Sequence, residues 1–132
     1  MDLAAQKERA LAFVNQMEAP DPAVLAEIIA DDFEFEFMMR GPQVKPQKHD
    51  EFLKWFPKIM KSWFPNGLNM KVHTIIAEGP HVAIQTEADT IAGNGKHYAN
   101  RYHFYLRFEG DRIAQAREYN DTNNVREVFF PE

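Results

Sequence analysis

A chain of 132 residues, 45% hydrophobic and 27% charged, has the size and composition of one folded domain and is too rich in apolar groups for a disordered chain. Its formal net charge of -5 opposes the counterion-release attraction behind nucleic-acid and anionic-membrane binding, so neither is an expected partner. With no cysteine, disulfides, thiolate catalysis and thiolate-held zinc are excluded.

Asp2, Lys7, Glu8 and Arg9 leave no apolar stretch near the start for a signal peptide or a membrane span, and cytoplasmic residence is the expectation. Without a secretory route, the glycosylation sequon Asn120-Asp121-Thr122 is read as a chance match. No repeat or linker-like tract interrupts the chain, which predicts one domain over residues 1–132.

Ala10, Leu11, Val14 and Met17 recur at helical spacing. A second helix is announced by Asp21 as N-cap and Pro22 at the first helical position, followed by Leu25, Ile28 and Ile29. From Asp32 to Phe37 phenylalanine and glutamate alternate strictly, the period of a strand with one buried face. Gly41, Pro42 and Pro46 then predict a loop.

Helical spacing returns from His49 to Trp63, with Phe52, Phe56, Ile59, Met60 and Trp63 on one side. Pro57 removes an amide there and predicts a bend or split, and Pro65-Asn66-Gly67 ends the segment. Beyond it, Gly79-Pro80, Gly93-Asn94-Gly95 and Glu109-Gly110-Asp111 mark hairpin turns between four strand-length segments, a four-stranded meander. Gly93-Asn94-Gly95-Lys96 lacks the spacing and the following helix of a phosphate loop, so a hairpin turn explains it. Helices first and strands later predict an α+β fold, about three N-terminal helices packed on one face of a curved, mainly antiparallel sheet.

Parity sorts the faces of the last two strands. Asn100, Tyr102, Phe104 and Leu106 form the more apolar, inward set, opposed by Arg101, His103, Tyr105 and Arg107. On the following strand Ala114, Ala116 and Glu118 share one face, and Ile113, Gln115, Arg117 and Tyr119 the other. Alanine is a weak strand former, so two alanines opposite an aromatic-rich strand suggest room above that face.

Two readings are open for Glu118. It stands at the end of an apolar cleft beside Asn100 and Tyr102, where desolvation raises its pKa toward neutrality for general acid-base work, or it is a rim glutamate paired with Arg101 or Arg117. Tyr102 and Asn100 are candidate donors to an enolate oxygen, or members of a structural hydrogen-bond set. The five histidines, at positions 49, 73, 81, 97 and 103, lack metal-site spacing, and only His73, sharing a face with Lys71 and Ile75, keeps a possible proton-shuttle role. No metal is expected.

Phe33, Phe35, Phe37, Phe52, Trp55, Phe56, Trp63, Tyr102 and Phe104 exceed what a bare core requires. Of the apolar side chains, Phe35, Phe37, Met39, Phe56, Trp63 and Phe104 are the expected substrate contacts, with Met38 and Met39 at a flexible pocket mouth.

The run from Tyr102 to Ile113, followed by Arg117-Glu118-Tyr119-Asn120-Asp121, resembles the SnoaL-like polyketide cyclase group of the nuclear-transport-factor-2-like superfamily. Ketosteroid isomerase and limonene epoxide hydrolase are more distant likenesses. The resemblance implies a cone-shaped fold around a deep apolar pocket, chemistry without a cofactor, and a homodimer formed through the sheet. It also implies that the acid after the arginine, Glu118, is the catalytic acid/base. Asp121 is then either a second carboxylate at the site or a cap for the segment from Thr122 onward.

The epoxide hydrolases carry an Arg-x-Asp pair on an earlier strand. Here Asp89 matches the acid, whereas Glu87 stands where the arginine would be. Asp89 therefore either lines the pocket or points to solvent or a partner copy. The expected function is a small cofactor-independent enzyme that enolises an apolar, carbonyl-containing, polyketide- or steroid-like small molecule toward cyclisation, isomerisation or dehydration. One alternative is a non-catalytic apolar-ligand-binding or dimeric association domain. Another is an epoxide hydrolase in which Asp89 and Glu118 flank one water.

Overall fold

The computed structural model describes residues 1–40 and 45–131; Gly41 and Pro42, expected in a loop, lie outside the described residues. Helix α1 spans Leu3–Asn15 and starts at Asp2, whose carboxylate accepts from Ala5 N at 2.7 Å. Helix α2, Pro22–Ile28, starts at Asp21, which accepts from Ala23 N at 2.9 Å with Pro22 in the first turn. The chain then passes into strand β1, Ile29–Phe37, and a two-residue strand β2, Gln47–Lys48.

Helix α3 follows as His49–Trp63. It runs through Pro57 as one helix rather than splitting there. Phe52, Phe56 and Met60 on its buried face anchor it across the proline, which lacks an amide and crowds the carbonyl of Leu53.

The remaining strands are β3 Lys71–Glu78, β4 His81–Ile91, β5 His97–Glu109 and β6 Arg112–Asn120, and helix α4, Thr122–Phe129, closes the described chain. The sheet order is β2-β1-β6-β5-β4-β3, an antiparallel meander from β3 to β6 with β1 lying parallel beside β6. The fold is α+β as expected, with a fourth helix at the C-terminal end. Its trace was legible, since Val125, Val128 and Phe129 recur at helical spacing and pack half-buried against the core.

Two bulges correct the parity of the sequence reading. Phe108 pairs with Ile113 and Arg107 with Gln115, so Ala114 is the extra residue and both Ile113 and Ala114 are buried. In β3 the register shifts between Val72 and Thr74, so Lys71 pairs with Glu87 on the outer face while Ile75 pairs with Ile84 on the inner. Lys71 and Ile75 therefore do not share a face.

The core is an aromatic cluster between α1, β1 and α3. Phe13, Phe33, Phe35, Phe52 and Phe56 stand with neighbouring ring centroids 4.6–6.1 Å apart. Among the described residues no helix is long and apolar enough to cross a membrane.

Candidate active site

The inner face of the curved sheet leaves a cavity of about 310 Å³ beside that core. Its walls are apolar and largely aromatic: Phe37 from β1, Ile59, Met60 and Trp63 from α3, and Val125 and Phe129 from α4. Met38 and Met39 line it immediately after β1. Such a volume is at the small end for a ligand pocket.

Into it β6 brings Glu118, which is 7% exposed and lies between Phe104 of β5 and Phe37 of β1 in the register. Alternation along β6 turns Glu118 inward with Ala116, which is packed in the core and does not line the cavity. Burial raises the Glu118 carboxyl from its ordinary value to about 8, and the hydrogen bond from Asn120 Nδ2 to Oε2, 3.0 Å, pulls it back only partly. The carboxyl is not on the rim, and neither Arg101 nor Arg117 pairs with it: Arg117 lies on the outer face with its Nε 3.8 Å from Glu36 Oε1.

Tyr98 and Tyr102 of β5 line the same cavity, and their hydroxyls are hydrogen-bonded to each other. Asn100 stands between them on the inner face. Its Nδ2 donates to Tyr98 Oη at 2.8 Å and to Asp121 O at 3.1 Å, while its Oδ1 accepts from Asp121 N at 3.1 Å and from Arg101 N at 2.7 Å. Burial raises the pKa of Tyr98, and burial together with the nearby Glu118 charge raises that of Tyr102 well above its usual value. Both therefore stay protonated. Two hydroxyl protons and one mutual bond leave one proton of the pair free to face the cavity.

The structure thus brings together Glu118, Tyr102, Phe37, Met39 and Trp63 from the residues singled out in the sequence. Phe35 and Phe56 stand in the aromatic core next to the cavity wall, and Phe104 lies under Tyr102, stacked at 5.7 Å between centroids. These three are buried packing residues and do not line the cavity, because the curvature of the sheet turns its open space toward Phe37 and α4. Asn100 also lies off the cavity and reaches it through Tyr98.

Asp89 is on the other side of the sheet. Its side chain is 68% exposed and its Oδ1 lies 2.6 Å from His97 Nε2, since β4 buries Ala88 and turns the next residue outward. Asp89 and Glu118 therefore cannot flank one water. His73 is likewise outward, with Nε2 3.0 Å from Glu87 Oε1. Asp121 is the N-cap of α4, accepting from Asn123 N at 3.0 Å.

Tyr98, Asn120, Thr122 and Phe129 also line the cavity, although none of them is singled out as a site contact in the sequence. Tyr98 stands two residues before Asn100, so the alternation that turns Asn100 and Tyr102 inward is the signal that finds it. Among the described residues no group of three or more metal-ligating side chains comes together.

The family model of the SnoaL-like domain matches residues 10–116 and so ends two positions before Glu118. No curated protein matches the chain by sequence. Among solved structures, a candidate SnoaL-like polyketide cyclase from Jannaschia sp. CCS1 superposes with a TM-score of 0.80 at 14% identity, covering 98% of this chain and 94% of that one. An NTF2-like protein from Burkholderia thailandensis E264 gives 0.77 at 19% identity, with 96% and 98% covered. An LEH-like epoxide hydrolase of M. tuberculosis gives 0.72 at 16% identity, with 94% and 88% covered. At these identities the likeness is one of fold.

Proposed function

We propose, for a chain that belongs to the SnoaL-like domain family, an enzyme that enolises an apolar carbonyl compound by general acid-base catalysis at Glu118. The single observation behind this reading is a buried carboxyl in an apolar cavity, with a pKa of about 8 and no cationic partner among the described residues. A group poised near the working pH is the kind that can take up and return a proton. At pH 7 about one molecule in ten carries the carboxylate that acts as base.

In this reading Glu118 removes the proton α to the carbonyl. The electrons of the broken C–H bond move onto the carbonyl oxygen, which receives the free hydroxyl proton of the Tyr98–Tyr102 pair as a hydrogen bond. Returning the proton to a different carbon completes an isomerisation. Attack of the enolate carbon on a second carbonyl of the same molecule forms a ring, and loss of a β-hydroxyl with the Glu118 proton gives a dehydration. The apolar walls exclude water and strengthen each of these contacts. No cofactor takes part.

A bicyclic, benzo-fused ketone such as 2-tetralone, small enough for the cavity, tests the reading. In D2O the protein is expected to speed exchange of its α-protons, followed by NMR, and Glu118→Gln to remove the acceleration. Binding without exchange overturns the catalytic reading in favour of a ligand-binding domain. Neither binding nor exchange, over a panel of such ketones, sinks both.

A further inference from the structure

Glu118 has one side-chain hydrogen-bond partner among the described residues, the amide of Asn120. The two stand at i and i+2 on the inner face of β6 and both line the cavity. The other end of that amide, Oδ1, is buried with no partner among the described residues. Buried polar atoms are nearly always paired, so an amide with one end engaged and the other idle asks for a reason.

A carboxylate only accepts hydrogen bonds, whereas a carboxylic acid also donates one. An asparagine amide offers a donor and an acceptor that exchange places by rotation about the Cβ–Cγ bond. We propose that Asn120 is the positioning residue of the site: its amide holds the Glu118 carboxyl in both protonation states, donating through Nδ2 to the carboxylate and, turned over, accepting at Oδ1 from the acid.

The inference rests on the acid-base reading of Glu118 and explains why that carboxyl keeps its place through a cycle in which it gains and then loses a proton. The proton passes between Glu118 and the substrate carbon, and Asn120 neither gains nor loses one. The idle end of the amide is the end used in the other half of the cycle.

The groups facing Glu118 leave this task to Asn120. From β5 come Tyr98 and Tyr102, both held protonated, and Phe104; from β1 comes Phe37. α3 supplies Ile59, Met60 and Trp63 and no charge, while Asp121 is engaged at the α4 cap. Lys45 lines the cavity before β2, with no carboxylate partner among the described residues, and is not among the groups that shift Glu118.

The experiment is a pH titration of the Glu118 side-chain carboxyl, read by carbon-detected NMR, in the wild type, Asn120→Leu and Asn120→Ala. Leucine keeps the volume and removes both polar ends; a hydrogen bond to a charged group is worth more than one to a neutral group, so the carboxylate loses more than the acid and the midpoint is expected to rise by about one unit. Alanine removes the same two polar ends and adds no charge, so a rise in the same direction is expected, and it serves if the leucine variant does not fold. Midpoints unchanged in the folded variants overturn the inference and leave Asn120 as packing. A wild-type midpoint near that of an ordinary glutamate instead overturns the acid-base reading itself.

Discussion

Tyr98 and Tyr102 are four residues apart on β5, about 13 Å along an extended strand, yet their hydroxyls are hydrogen-bonded to each other. A concave sheet face favours this, because it aims inner side chains at a common point. Asn100, between them, fixes Tyr98 from one side and ties the pair to the start of α4. Replacing Tyr102 by Phe leaves the ring on Phe104 and removes the hydroxyl. The expected loss in kcat on an enolisable substrate is about 10²-fold, the size of one oxyanion donor, with KM little changed. Steady-state kinetics decide it, and an unchanged kcat removes the Tyr102 hydroxyl from the mechanism.

The raised pKa of Glu118 makes stability depend on pH. The folded chain holds the Glu118 proton up to about pH 8, whereas an unfolded glutamate releases it near 4.5. The stabilisation is therefore complete below that lower value and fades as pH rises through about 8. The span of about 3.5 units corresponds to roughly 4–5 kcal/mol at most. Glu118→Gln carries no such charge, so it should unfold at higher denaturant than the wild type at pH 9 and lose this part of the pH slope. Urea titrations from about pH 5 to about pH 9 measure the difference; parallel slopes in both proteins contradict the buried acid.

Catalysis of the same ketone exchange should rise with pH up to about 8 and level off above it, since the carboxylate is the active form of the base. A rate that falls through this range points to Glu118 acting as the acid first.

Asp89→Asn should leave activity within about twofold, as expected for a surface substitution, because its carboxylate faces outward against His97. A large loss of turnover in this variant restores a two-carboxylate mechanism.

Away from the cavity, Glu18 holds the approach to β3. Its carboxylate accepts from the backbone amides of Leu68 at 3.0 Å, Asn69 at 2.9 Å and Met70 at 2.9 Å. Gly67 permits this closeness. Its φ is +78° and a Cβ there would lie 2.5 Å from Glu18 Oε2. Glu18→Ala should cost about 2–3 kcal/mol, since three amides lose their acceptor at once. Gly67→Ala should cost a similar amount, and the double variant less than the sum. Urea denaturation gives all three values, and strict additivity rules the clasp out.

Local signals were enough for much of this protein. The Asp21-Pro22 start, the Phe33, Phe35 and Phe37 alternation and the glycine turns are short-range facts, and each appears as a secondary element where expected. Parity also sufficed to turn Glu118 and Tyr102 inward, since side chains alternate wherever a strand is regular. Parity fails at a bulge, and so Ile113 was assigned to the wrong face and Ile75 was paired with Lys71.

What no local pattern could state is which inward residues meet empty space and which meet other side chains. Phe37 and Phe35 are the same residue type two positions apart, yet one lines the cavity and the other is core, because α3 packs over one and α4 stands off the other. The meeting of Tyr98 with Tyr102, and of Asn120 with Glu118 beside an idle amide oxygen, depends on how far the sheet curves. Curvature belongs to the whole assembly of strands and helices, so only the tertiary structure could decide it.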